Sequence, residues 1–232
     1  MAINGTGANR RRILIRALAS GLLAAASPAA RAQILGKIPR ELRAGESIYD
    51  LYGEVRLNGQ TTGSETIISS NDTISTGQNS QAIFVVGRDA FLLRENSILT
   101  LAGNNMLVQT LRLATGALLS VFGKSAHDLV LPTATIGIRG TGVYAEAQPE
   151  QSYVCTCYGI TEIKAGGTSQ IERIESKHHD APRYILGKGS DRIRPAPVIN
   201  HTDEELMLIE ALVGRVPPFA LFDDTYGRSR RY

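Results

Sequence analysis

The sequence predicts an all-β protein, built as an antiparallel sandwich, jelly roll or β-roll, with one short C-terminal helix. Short apolar or β-branched runs, separated by Gly, Asn, Asp and Ser, extend from residue 47 to about residue 174. Glycine makes up 23 of the 232 residues and tryptophan is absent, a composition that favours many turns. No interval between the runs carries the helical pattern that a parallel crossover requires, so the strands are expected to be antiparallel.

The predicted strands follow one another at short spacing. The first alternates around Gly53, and Gly87-Arg88-Asp89 is predicted to be a hairpin turn between two apolar runs. The predicted strands cover residues 51–57, 66–68, 73–75, 82–86, 90–94, 99–101, 107–113, 117–122, 134–138, 143–147 and 153–158.

One segment near the C-terminus predicts a helix instead. Thr202 and Glu205 have the spacing of a capping box, and an apolar run follows them up to Gly214. The prolines at 217 and 218 prevent the helix from continuing. We expect the helix and the apolar tail after it, with Phe219, Leu221 and Phe222, to cover an open edge or face of the sheet. Docking of a partner is the alternative use of these apolar residues.

The first 32 residues have the order of an export signal. Arg10, Arg11 and Arg12 precede an apolar stretch at 13–26, and Ala30-Arg31-Ala32 supplies a small-residue cleavage site. The segment 9–14 is also similar to the twin-arginine signal, in which an arginine pair precedes apolar residues. A general secretory signal or an uncleaved anchor are the alternatives, although about 14 apolar residues are fewer than the roughly 20 that span a bilayer. The expected product begins at Gln33, is periplasmic and has no transmembrane segment.

The charge distribution argues against nucleic-acid binding. The whole chain has a formal net charge of +3, but five of its 25 basic residues and none of its 22 acidic residues lie in the first 32 positions. After cleavage, 20 basic side chains face 22 acidic ones, a charge of about −2. A protein that neutralises phosphates needs clustered Lys and Arg, and the mature part lacks such a stripe.

Four segments of the β region, read in order, resemble the FecR domain, the periplasmic module of iron-siderophore signalling regulators. They are 53–59 (GEVRLNG), 71–82 (NDTISTGQNSQA), 113–118 (LATGAL) and 132–143 (PTATIGIRGTGV), the last similar to the family's T-P-x-A…R-G-T signature with Pro and Thr reversed. Their glycines, Asn71 and Asp72 suit strand ends and turns. Arg139 is a candidate group for binding an anion or a partner's carboxylate, and bonding to loop carbonyls is its alternative role.

The resemblance implies a FecR-like β domain at 47–147, followed by a β extension at 148–200 and the helix and tail at 201–232. Transmembrane regulators of this family carry a cytoplasmic sigma-factor-binding domain and one membrane helix before the periplasmic half, whereas this chain has a signal segment there. The resemblance therefore implies an exported binding, scaffold or signalling module of the cell envelope. Its expected partner is an envelope protein or a membrane sensor, and iron-uptake signalling is the circuit that the family implies.

Catalytic patterns are mostly absent from the sequence, and we expect a protein that is not an enzyme. It contains no G-x-S-x-G, H-E-x-x-H or P-loop pattern. The glycine cluster at 137–142 lies between predicted strands, with no helix after it to bind a phosphate.

The two cysteines, Cys155 and Cys157, are the exception, together with His178, His179 and Asp180. On a strand the two thiols share one face, about 6.6 Å apart along the chain, which suits a metal between them better than a disulfide. Two thiolates and an imidazole suit zinc or copper, and if 178–179 is a strand only one of the two histidines can join them. Cysteines without a chemical role, or a disulfide or redox pair, are the alternatives. No cofactor other than this candidate metal is expected.

Overall fold

The computed structural model describes residues 39–104 and 107–221, apart from the side chain of Leu221. The predicted export signal at 1–32 and its cleavage site lie outside the described residues, as does Phe222.

Fourteen strands in the described residues form one continuous hydrogen-bonded sheet that confirms the predicted all-β class. The strands are β1 (Ile48–Tyr52), β2 (Val55–Leu57), β3 (Gln60–Thr61), β4 (Thr73–Thr76), β5 (Gln81–Val86), β6 (Asp89–Leu93), β7 (Ile98–Asn104), β8 (Leu107–Val121), β9 (Ala126–Val130), β10 (Ala134–Ala147), β11 (Gln151–Ala165), β12 (Ile171–Ser176), β13 (Arg183–Leu186) and β14 (Ile193–Pro195).

The sheet bends over into two layers because its three longest strands, β8, β10 and β11, each belong to both. In the first layer, the first half of β8 pairs with β7, the first half of β10 pairs with β9, and the second half of β11 pairs with β12. Strands β4, β2 and β3 extend this layer beyond β7. Their other halves pair with one another and with β6 and β13, and β5, β1 and β14 complete the second layer. Inward-facing side chains of both layers, including Phe84, Phe91, Leu111 and Ile136, belong to one buried core.

Glycines stand where the long strands pass from one layer to the other. Gly116 in β8 has a φ of 86°, Gly140 in β10 has 55° and Gly159 in β11 has 88°, values that glycine adopts far more easily than other residues. Beside Gly140, the Thr141 hydroxyl lies 2.8 Å from the Arg139 carbonyl oxygen in β10 and 3.0 Å from the Ile160 carbonyl oxygen in β11, and it accepts from the Ile160 N–H. These bends lie where each long strand changes its pairing partners.

Several strand boundaries differ from the predicted ones. Residues 107–121 and 134–147, predicted as two strands each, form the single bent strands β8 and β10, because the glycine that interrupts each apolar pattern bends the strand without ending it. The opposite holds at Gly53, where residues 51–57, predicted as one strand, are divided between β1 and β2. Residues 66–68 are not a strand, although Ile68 is buried in the core. The short pairing of β8 with β9 is parallel, whereas every other pairing is antiparallel in the described part of the chain.

The predicted helix is present as α1 (Asp203–Ala211). The Thr202 side chain accepts from the Glu205 N–H, and the Glu205 carboxylate accepts from the Thr202 N–H, so the capping box is confirmed. A 3₁₀ turn at Pro218–Leu221 follows. Leu206, Ile209 and Phe219 pack on the outer face of the second layer, where they form a second buried cluster. No helix in residues 39–104 and 107–221 is long and apolar enough to cross a membrane.

Candidate functional site

The first half of β11 places both cysteines under α1. Tyr153, Cys155 and Cys157 alternate with inward-facing residues, so all three lie on the outer face of the second layer. Both thiols are fully buried and neither is in a disulfide. They are therefore held side by side on a rigid strand, covered by the C-terminal segment.

The segment after β12 brings His179 to the cysteines. Residues 177–182 are not a strand, which overturns the premise on which the two histidines were placed on opposite faces. The Asp180 carboxylate accepts from the Lys177 N–H at 2.6 Å and shapes this bend. His179 has a φ of 54°, and its N–H donates to the Cys157 carbonyl at 2.9 Å. Its Nδ1 then lies 3.3 Å from Cys155 Sγ.

A third histidine, His201, completes the cluster from the residue before the helix cap. Its Nε2 lies 3.0 Å from His179 Nδ1, and its Nδ1 lies 2.6 Å from the Ile199 carbonyl oxygen. Its ring stacks on Tyr144, with the ring centroids 4.5 Å apart. The tyrosine and the carbonyl together fix where His201 points.

His178 does not reach the sulfur atoms. Its Nε2 lies 2.8 Å from Asp203 Oδ1 at the start of α1, and its ring stacks on Phe219 with the centroids 4.4 Å apart. The same Asp203 oxygen lies 3.1 Å from His179 Nε2. Asp203 thus links the two neighbouring histidines, and only His179 faces the cysteines as well.

The neighbouring groups strongly shift the pKa values of both cysteines and of His179. The hydrogen bond from the Cys157 thiol, with contributions from His179 and His201, lowers the pKa of Cys155 to about 4 despite its burial. Burial, together with the neighbouring Cys155, raises the pKa of Cys157 well above its ordinary value. Burial by itself would lower the pKa of His179, but its bonds with Asp203 and Cys155 raise it to about 9. Both shifts favour transfer of a proton from the Cys155 thiol to the His179 imidazole in the metal-free chain.

Two overlapping groups in the described residues have metal-binding potential. Cys155, Cys157, His179 and His201 each offer one ligand atom, and these atoms lie within 4.8 Å of one another. His178, His179 and Asp203 form the other group, which is more exposed. Of the sequence candidates, the structure therefore brings Cys155, Cys157 and His179 together and leaves His178 and Asp180 outside that group.

Comparison with known proteins finds only a partial structural similarity. No model of a protein family matches the chain, and no curated protein matches it. Two crystal structures of a candidate anti-sigma factor from Parabacteroides distasonis ATCC 8503, at 1.65 and 2.50 Å resolution, each align with a TM-score of 0.44 and 10% sequence identity. Each alignment covers 53% of this chain and 58% of the other chain, so the likeness spans little more than half of either protein.

Sequence reasoning missed His201. Because His201 stands next to Thr202, it was interpreted only as part of the helix start. The sequence does not show that its Nε2 lies 3.0 Å from His179 Nδ1. One signal was available, because three of the four histidines, His178, His179 and His201, lie within 24 residues of one another. The remaining histidine, His127, is buried elsewhere beside Phe122.

Arg139 lies in a different place, on the outer face of the first layer. It lines a groove of about 220 Å³ together with Arg173, Asp128 and Glu162. It is exposed, and its side chain donates no hydrogen bond to any residue in the described ranges. It therefore does not bond the loop carbonyls that the sequence offered as its alternative role.

Proposed function

We propose that this chain is an exported FecR-like module that binds a partner in the cell envelope and is not an enzyme. The observation that carries the proposal is that two of the four FecR-like segments coincide with bends of the fold. Gly116 and Gly140, from the third and fourth segments, have positive φ where β8 and β10 pass between the layers. The shared motif residues thus stand where this architecture needs them.

The environment of Cys155 supports a role other than catalysis. A thiolate with a low pKa is a nucleophile, but a catalytic one has to reach its substrate. The Cys155 side chain is fully buried below α1 and is already paired with His179. We therefore assign this cluster no reaction.

The groove at Arg139 is the proposed partner contact. An exposed guanidinium without a described partner is free to bind a carboxylate in a bidentate manner. The neighbouring Asp128 and Glu162 make the groove mixed in charge, which suits a partner surface with both signs. The family resemblance places that partner among envelope proteins or membrane sensors, with iron-uptake signalling as the circuit.

Photocrosslinking in intact cells tests this contact. A photoreactive amino acid at position 139 is expected to give one discrete adduct, whereas the same group at Lys188, which is 83% exposed and lies outside the groove, gives none. Mass spectrometry of the adduct then identifies the partner, and a receptor or membrane sensor supports the signalling role. Identical adducts from both positions, or none from position 139, would contradict the proposed contact.

Export through the twin-arginine route gives a separate prediction. Replacement of Arg10, Arg11 and Arg12 by Lys is expected to leave the unprocessed precursor in the cytoplasm, because that route requires its arginine pair. Arg16→Lys is the matched control and should be processed to a product that begins at Gln33. Cell fractionation with N-terminal sequencing measures both. Normal processing of the triple variant would assign the leader to general secretion instead.

A further inference from the structure

We propose that Cys155, Cys157, His179 and His201 bind one zinc ion in a tetrahedral centre that fastens the C-terminal segment to the second layer. This goes beyond the proposed role in partner binding, because it assigns the buried face of the module its own ligand. Two sulfur and two nitrogen donors in a tetrahedron are the donor set of structural zinc sites.

The spacing of the ligand atoms fits such an ion. In a tetrahedral zinc complex of this composition, neighbouring ligand atoms are about 3.4–3.8 Å apart. Cys155 Sγ and His179 Nδ1 are 3.3 Å apart, and His179 Nδ1 and His201 Nε2 are 3.0 Å apart. All four ligand atoms lie within 4.8 Å of one another. The two short separations are within about 0.5 Å of these values, and a pair at the 4.8 Å limit has to approach by about 1 Å when the ion binds.

Each histidine has a hydrogen-bond acceptor behind its ring that directs the other ring nitrogen to the metal, and His179 loses its Nδ1 proton when the ion binds. A carbonyl oxygen only accepts, so the Ile199 oxygen 2.6 Å from His201 Nδ1 fixes the proton there and leaves Nε2 as a donor to the metal. In the same way the Asp203 carboxylate, 3.1 Å from His179 Nε2, leaves His179 Nδ1 facing the sulfur of Cys155. Carboxylate or carbonyl partners behind ligating imidazoles are the usual outer shell of zinc sites.

The backbone and packing also hold the ligands in position before any ion binds. His179 adopts a left-handed φ of 54°, which a residue with a side chain adopts at some cost, and this turns its ring toward Cys155. Stacking on Tyr144 holds the His201 ring. The cysteines are fixed by the pleat of β11. The site is therefore preorganised, and a preorganised site loses little affinity to ordering on binding.

The ligands come from three separate pieces of chain. Cys155 and Cys157 lie on β11, His179 lies in the bend after β12, and His201 lies just before α1. The ion would close loops of about 22 to 24 residues between its ligands. Binding should therefore stabilise the docked helix, since only the folded chain brings the four ligands together.

Titration of the full chain with metal tests the proposal. The reduced, metal-free protein is titrated with Zn²⁺ and with Co²⁺, and the metal content after dialysis is measured by mass spectrometry. We expect one metal per chain, a cobalt spectrum with tetrahedral d–d bands and a thiolate charge-transfer band, protection of both thiols from a thiol reagent, and a higher urea midpoint. Two reactive thiols without bound metal, or a disulfide in the exported protein, would overturn the proposal.

Variants of neighbouring histidines separate ligation from folding. His201→Gln and Cys155→Ser should lose stoichiometric metal, whereas His178→Gln, the matched control, should keep it with an unchanged cobalt spectrum. Asp203→Asn should weaken the affinity by about 10–100-fold, because it removes the carboxylate behind His179. Circular dichroism without metal establishes that each variant is folded. Retention of zinc by folded His201→Gln, or its loss in folded His178→Gln, would contradict the assigned ligands.

Discussion

Replacing Gly116 with alanine is expected to destabilise the protein by about 2–5 kcal/mol. Gly116 has a φ of 86°, a conformation that costs a residue with a Cβ about 1–2 kcal/mol. A Cβ there would also lie 2.6 Å from Ser97 Cα, far inside van der Waals contact with the backbone just before β7. The Ser97 hydroxyl, which accepts from the Ala117 N–H, would have to move as well. The bend that carries β8 into the second layer would therefore open.

Gly59→Ala is the matched control for this prediction. Gly59 has a similar φ of 81°, but a Cβ built on it meets nothing within 4 Å. Its expected cost is thus the backbone part alone, about 1–2 kcal/mol. Urea unfolding of the two variants, at equal metal content, measures the difference that the close approach to Ser97 causes. Equal losses would mean that the sheet relaxes around the new methyl group and that the bend is not tightly packed.

Replacing Glu205 with alanine is expected to cost about 3–5 kcal/mol, because it leaves a partly buried arginine without its counterion. Both Glu205 oxygens lie about 3 Å from Arg94 Nη2, at 2.9 and 3.0 Å, and the Glu205 side chain is 3% exposed. The same carboxylate accepts from the Thr202 N–H and closes the capping box of α1. One substitution therefore removes the Glu205 half of the capping box and the ion pair between α1 and Arg94, the residue after β6.

Two control variants show how much of this loss comes from the charge of Glu205 and from its burial. Glu205→Gln keeps an acceptor for the capping box and removes only the charge, so its loss should be smaller than that of alanine. Arg56→Ala breaks an ion pair with Glu54 in which both side chains are more than half exposed, and should cost less than about 1 kcal/mol. Thermal and urea unfolding measure all three variants. A loss from Glu205→Ala no larger than that from Arg56→Ala would contradict a stabilising role for the buried pair.

The parts of the fold that sequence predicted best depend on neighbours within a few residues. The capping box joins Thr202 to Glu205, three positions apart, and its polar groups bond in the same way wherever the helix docks. The hairpin between β5 and β6 is equally local, with Val86 paired to Asp89. The export signal is also a local pattern and stays a prediction from sequence.

The strand boundaries predicted from sequence were wrong where one local pattern is compatible with two structures. A glycine inside an apolar run indicates either the end of a strand or a bend within it, and only packing decides which. At Gly116 the chain continues into the second layer, and Ser97, the residue before β7, packs against the glycine backbone. Sequence alone could not supply that neighbour.

By itself, then, the sequence determined the all-β class, the capped C-terminal helix and the shared face of Cys155 and Cys157, because alternation and capping act over two to four residues. Only the tertiary structure decided that His201 joins the cysteines while His178 does not. His201 and His179 are 22 positions apart, and their contact depends on how β11, the bend after β12 and the docked α1 meet. Such an approach is a property of the packed layers, which no local pattern encodes.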